Sequence, residues 1–159
     1  MSVTKVKDYF KNFGVEDKVI ELDQSSATVE LAAEAIGCDP ERIAKTLSFL
    51  VDGKGIVVVV AGDAKIDNRK YREEFHEKAK MIPAEEVETI VGHAPGGVCP
   101  FAINENVEVY LDISLKRFST VYPAAGSGNS AIKLNLMELE KYSNPRKWVD
   151  VCKGWIENQ

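Results

Sequence analysis

Histidine, cysteine and tryptophan are scarce in this 159-residue sequence, at 2, 3 and 2 copies, and the scarcity removes whole classes of chemistry. Cys38, Cys99 and Cys152 are odd in number and widely spaced, with no C-x-x-C, and neither His76 nor His93 stands at metal-ligand spacing from them. A disulfide framework and a zinc site therefore have no sequence basis. Clustered carboxylates are missing too, so a two-metal site is not expected, and the reading requires no metal and no cofactor. Neither G-x-x-x-x-G-K-[ST] nor G-x-G-x-x-G occurs, which removes the usual phosphate cradles of nucleotide hydrolysis and dinucleotide binding. No apolar run approaches the roughly 20 residues of a membrane span. The longest, residues 56–61, is bounded by Gly55 and Gly62 and suits a buried strand. The N-terminal stretch is polar every few residues and lacks an apolar signal segment. The expectation is a reduced, cytoplasmic protein with no membrane partner.

Positive charge is also in deficit, with 20 Lys and Arg against 25 Asp and Glu, a net charge of −5. That excludes a surface that coats nucleic acid over a long track, since phosphate binding depends on clustered cations. Any RNA contact must be local. The candidate patches are residues 65–72, with Lys65, Arg69, Lys70 and Arg72, and the pair Lys116 and Arg117.

What is present is an ordinary globular composition, 45% hydrophobic and 28% charged, in a chain long enough for one packed core. Residues 1–159 are read as a single domain. Val3, Val6, Phe10 and Phe13 recur at helical spacing after Ser2, a possible cap, and before Gly14, a stop. Residues 18–23 read as a short strand. Thr28 can cap the helix VELAAEAI, which Gly37 ends, and Asp39-Pro40 starts another helical turn. Residues 46–51 and 56–61 form a hairpin around Asp52-Gly53-Lys54-Gly55. Residues 68–80 look helical, Pro83 opens a short helix ending near Val91, and residues 92–100 carry too much Gly and Pro for a regular element. Residues 107–113, 118–124 and 131–135 read as strands, with a turn at Gly126-Ser127-Gly128-Asn129, and a last helix begins near Leu136. Hairpins without regular βαβ alternation imply an α+β fold, a mixed, mainly antiparallel, barrel-like sheet surrounded by helices.

Three features could carry chemistry. In GHAPGGVCPF, Gly96 and Gly97 allow a ligand close to backbone N–H groups while Pro95 and Pro100 stiffen the flanks. The same loop could equally be a tight surface connection. Lys45, in RIAKTLSFLV, stands where a lone ammonium among core residues needs a partner such as a phosphate or ester oxygen, unless its stem lies along the core edge with the head in water. Cys99 and His93 share a loop, but six Gly- and Pro-rich residues do not fix a nucleophile and base, and no third orienting group is evident.

In order and spacing, TVELAAEAIGCDPERIAKTLSFLV, GHAPGGVCPF and VYPAAGSGNSAIKLN resemble the YbaK/ProX family of trans-editing aminoacyl-tRNA deacylases, over nearly the whole chain. The resemblance implies hydrolysis of the ester between a non-cognate amino acid and the terminal adenosine of tRNA, often tRNA for proline. Lys45 would hold the acceptor end, and the G-x-x-x-P element from Gly96 to Pro100 would position the aminoacyl group. Thr28, Gly97, Ala124, Ala125 and Gly126 would line the same pocket. The partner implied is the acceptor end of aminoacyl-tRNA, with an aminoacyl-tRNA synthetase or elongation factor supplying the rest of the grip. The sequence departs from the cysteinyl-tRNA deacylases of the family: the segment around Leu22 lacks a Tyr, and Ala124 stands where they carry Ser. The amino acid removed therefore stays open among alanine, serine, threonine and a non-protein residue, with Cys99 a candidate for tuning pocket volume. A binding module without turnover and a protein-interaction domain are the rival readings.

Overall fold

The computed structural model describes residues 2–155. Its centre is a six-stranded mixed sheet in the order β8-β6-β2-β3-β5-β9, formed by β2 (Ile43–Val51), β3 (Lys54–Ala61), β5 (Glu108–Asp112), β6 (Thr120–Pro123), β8 (Leu134–Asn135) and β9 (Lys147–Val149). Two ribbons complete it: β1 (Val19–Glu21) with β7 (Ser130–Ile132), and β4 (Lys65–Ile66) with β10 (Cys152–Lys153). The helices are α1 (Ser2–Lys11), α2 (Val29–Ile36), α3 (Asn68–Phe75), α4 (Ala84–Val91) and α5 (Leu136–Ser143).

The expected hairpin is the backbone of the fold: β2 and β3 pair antiparallel from Ala44↔Ala61 to Val51↔Lys54. Ile56 to Ala61 are all 3% exposed or less, as expected of a strand covered on both faces. The α+β mixed-sheet expectation holds, and parallel pairing enters at β2–β6, β3–β5 and β5–β9. Those contacts join segments distant in sequence, so turn signals do not reveal them.

Local capping chemistry sets the helix ends. The Thr28 side chain accepts from the Leu31 N–H at 3.2 Å, and Asn135 with Glu138 makes a reciprocal capping box on α5. The cap proposed at Ser2 falls on a side chain outside the described part of the structure. α3 is shorter than expected, because His76 turns left-handed at φ 66° and the chain beyond it runs beside β2, where the Lys80 carbonyl accepts from the Leu50 N–H. The strand expected over 18–23 is only Val19–Glu21, preceded by a 3₁₀ turn at Glu16–Lys18. Lys45 lies inside β2, two residues past its start, because pairing with β3 and β6 extends the strand back to Ile43.

Two aromatic clusters hold the helices. Phe10 of α1 packs on Phe101 and on Tyr142 of α5, and Tyr71 of α3 lies between Phe49 of β2 and Phe75. Buried Asp112 fixes the C-terminal return, accepting from the N–H groups of Ser114 and Val151, and this holds β10 beside β4.

Candidate functional site

The sheet opens where β6 leaves β2. Their pairing is limited to Ile43↔Tyr122 and Ala44↔Pro123, after which Ala124 bridges to Ala131 instead. Farther along, the same edge of β2 is covered again, by the Lys80 carbonyl at Leu50 and the Ile82 N–H at Ser48. Backbone groups of a strand alternate sides with period two, so the N–H and C=O of Thr46 face this gap, as the Ser48 carbonyl and Leu50 N–H face their partners.

A cavity of about 180 Å³ occupies the gap. Ala32 and Ile36 of α2 with Ile43 give it an apolar wall, Thr28 and Val29 stand at the helix start, and Gly96, Val98, Ala124 and Tyr122 close the other side. Lys45 and Thr46 line it from β2. Its rim is held by backbone bonds, Ser26 N–H to the Gly128 carbonyl and Leu22 N–H to the Asn129 carbonyl, both 2.7 Å. Ser130 Oγ accepts from the Ser127 N–H at 3.1 Å and fixes the turn between them.

Lys45 is half-buried, and among the described residues its ammonium has neither a hydrogen bond nor an ion pair. Burial lowers its pKa from the ordinary lysine value, while the Asp63 and Glu30 charges act the other way and the Lys65 charge adds to the lowering. Thr46 Oγ1 is buried with no hydrogen-bond partner. Lys45 thus brings an unpaired cation to the cavity beside the free backbone groups of Thr46, an arrangement that costs stability and is relieved by a polar or anionic ligand.

Of the residues expected at the site, Lys45, Thr28, Gly96 and Ala124 line the cavity, and Gly97, Pro100, Ala125 and Gly126 do not. Gly97 is a packing requirement: a Cβ there would sit 2.7 Å from the backbone of Gly126 and Ser127. Pro100 and Ala125 are buried behind that contact. Gly96, at φ 89°, has only Ala27 Cβ near its own hypothetical Cβ, at 3.5 Å, so its backbone is the part of the loop open to the cavity.

Cys99 and His93 do meet, with Sγ 3.5 Å from Nε2, but both are fully buried and neither lines the cavity. Nε2 also lies 2.7 Å from the Phe101 carbonyl, to which it donates, so that nitrogen carries a proton and cannot take one from the thiol. Burial pushes the Cys99 thiol up to about 12, and burial lowers the His93 pKa. The pair is structural, and Cys99 has no direct part in the cavity's volume.

Thr46 went unrecognised as a site residue because a threonine in an apolar strand is an ordinary strand former. Nothing local in the sequence distinguishes it.

Apart from Tyr122 and Lys45, the cavity lining carries no ionisable side chain, so Lys45 is the one cation among the lining residues. The sequence of residues 23–142, which contains every lining residue, matches the aminoacyl-tRNA editing domain. This chain belongs to that family of aminoacyl-tRNA editing domains, as its motifs implied. It is 52% identical to YwhH of Bacillus subtilis (strain 168), an uncharacterized protein, over 98% of this chain and 99% of that one. EbsC of Enterococcus faecalis, named as a candidate Cys-tRNA(Pro)/Cys-tRNA(Cys) deacylase, is 27% identical over 67% of this chain and 66% of its own length. Among solved structures, a candidate trans-editing enzyme for prolyl tRNA synthetase superposes with a TM-score of 0.86 at 27% identity, covering 96% of this chain and 98% of that one. No helix among the described residues is long and apolar enough to cross a membrane.

Proposed function

We propose that this chain is an aminoacyl-tRNA deacylase that hydrolyses the ester of a mischarged tRNA, of the proline type, with the terminal adenosine at Lys45 and the aminoacyl group in the cavity. The observation that carries this reading is the half-buried Lys45 ammonium without a counter-ion, at a small cavity roofed by the Gly96 backbone. An acceptor-end phosphate or ribose oxygen supplies the missing partner. About 180 Å³ is roughly six waters' worth of space, which suits a small aminoacyl group and excludes a large one, the logic of a second sieve.

With no carboxylate or histidine lining the cavity, the protein's part is positioning and donor stabilisation of the carbonyl oxygen, from the Gly96 backbone and the Thr46 peptide N–H. Water attacks the carbonyl carbon as the neighbouring ribose hydroxyl of the substrate takes the water's proton and hands its own to the departing ribose oxygen. The C–O bond to the sugar breaks, and the ribose oxygen leaves protonated. A synthetase or elongation factor completes the tRNA grip that this acidic chain cannot supply alone.

The test is deacylation of Ala-, Ser- and Cys-tRNA for proline by wild type and by Lys45→Ala. Turnover of at least one ester, reduced about a hundredfold or more in the variant, is expected. Saturable tRNA binding with no turnover of any ester would replace this reading with that of a binding module.

A further inference from the structure

Lys65 and Lys153 stand directly opposite each other in the β4–β10 ribbon, an in-register pair of like charges. Such a pair is destabilising on an exposed ladder unless an anion lies against it. Both are exposed, as is Arg69 at the start of α3. Among the described residues none of the three has an ion pair or a side-chain hydrogen bond.

The carboxylates nearby are already committed. Asp63 is held by both terminal nitrogens of Arg117, at 2.5 and 2.9 Å. Asp150 takes Lys70, and Asp67, whose charge is felt by Lys153 and Arg69, spends an oxygen capping α3 at the Lys70 N–H. In a chain of net charge −5, three cations without direct partners on one ribbon and its flanking helix are a locally cationic patch, in which Asp67 acts on Lys153 and Arg69 from a distance. The patch adjoins the site: Lys45 pairs with Val60 near the end of β3, and the chain runs from there within a few residues into β4, whose Lys65 charge disfavours the charge on Lys45. By contrast, the other basic pair of the sequence is occupied, Arg117 by Asp63 and Lys116 by the face of Trp148.

We infer that the Lys65–Lys153 ribbon, with Arg69, is a docking surface for the phosphate backbone of an RNA acceptor strand leaving the cavity past Lys45. The inference rests on the deacylase reading for the direction of the strand, and gives that reading the local RNA contact the net charge demands. Two phosphates bridging the paired ammonium groups would relieve the like-charge opposition and continue the cationic line that Lys45 begins.

The experiment is fluorescence anisotropy of an uncharged RNA hairpin with a single-stranded 3′ end, titrated at several KCl concentrations with wild type, the double variant Lys65→Ala/Lys153→Ala, and Lys54→Ala. Lys54 is a further cation without an ion pair among the described residues, at the opposite end of the β2–β3 hairpin. The double variant should bind about tenfold or more weakly near 0.1 M salt, with the log–log salt slope shallower by roughly 1.4 to 1.8, the release of counterions from two phosphates. Lys54→Ala should match wild type. Equal affinity and slope for wild type and the double variant would overturn the inference, as would an equal loss in Lys54→Ala, since that marks a diffuse charge effect. If the double variant unfolds, Lys65→Gln alone reads the same slope, with a decrease of about half the size expected and no decrease overturning the inference. Deacylation of mischarged tRNA for proline by wild type is a separate arm: no turnover of any ester removes the deacylase reading and leaves the RNA result to stand or fall by itself.

Discussion

Two places in this molecule hold side chains that look reactive, and their surroundings give them opposite roles. Cys99 and His93 form a contact that on residue type alone suggests nucleophile and base, yet they are sealed in the core with the imidazole committed to the Phe101 carbonyl. Lys45 carries less suggestive chemistry but reaches a cavity with its ammonium unpaired, beside the free backbone groups of Thr46. Access to open space, more than residue type, separates a structural pair from a site. His93 Nδ1 is as unpartnered as the Thr46 hydroxyl, but sealed in the core it has no ligand to meet, whereas an unpaired group beside open space holds binding energy in reserve.

The largest contrast should come from exchanging the groups themselves. Lys45→Met is expected to lower deacylation about a hundredfold or more while leaving the thermal midpoint unchanged or raised, because a partly desolvated cation is removed. Cys99→Ala should do the reverse: turnover within about twofold of wild type, and a loss of roughly 1 kcal/mol in denaturant unfolding from the small cavity left behind. A Cys99 variant that folds yet loses turnover would erase the distinction between the two places.

The two adjacent glycines sharpen the comparison at the loop. Gly97→Ala must push Cβ into the backbone at 126–127 and should cost about 1–3 kcal/mol of stability, read by urea denaturation. Gly96→Ala meets only Ala27 Cβ, so its cost is that of a left-handed alanine, about 1–2 kcal/mol, with its larger consequence in turnover. Equal effects of both changes on turnover, scaling with stability alone, would count against a direct role for the Gly96 backbone.

The smallest expected effect on the fold belongs to Thr46→Val. Removing a buried hydroxyl that has no partner and no open surface should leave stability unchanged or raise it by up to about 1 kcal/mol in denaturant unfolding, with deacylation within about twofold of wild type. A tenfold fall in turnover at unchanged stability would mean instead that the hydroxyl meets the substrate.

Much of this was legible before any coordinates. The Thr28 cap, the β2–β3 hairpin, the stop at Gly37 and the irregular 92–100 loop follow from residues within a few positions of one another. Lys45 and Gly96 were likewise visible, one as a cation in an apolar run and the other as a loop glycine. What could not be read was which glycine of the loop faces the cavity and which packs on a distant turn.

The sequence by itself determined local geometry, because caps, turn residues and strand alternation act through the nearest backbone groups. Only the tertiary structure decided that β6 leaves β2 after Ala44, that Thr46 is thereby left facing a cavity, and that Lys65 meets Lys153 across a ribbon. Those arrangements join segments far apart in the chain, and their energy comes from burial and pairing that exist only once the whole core has closed.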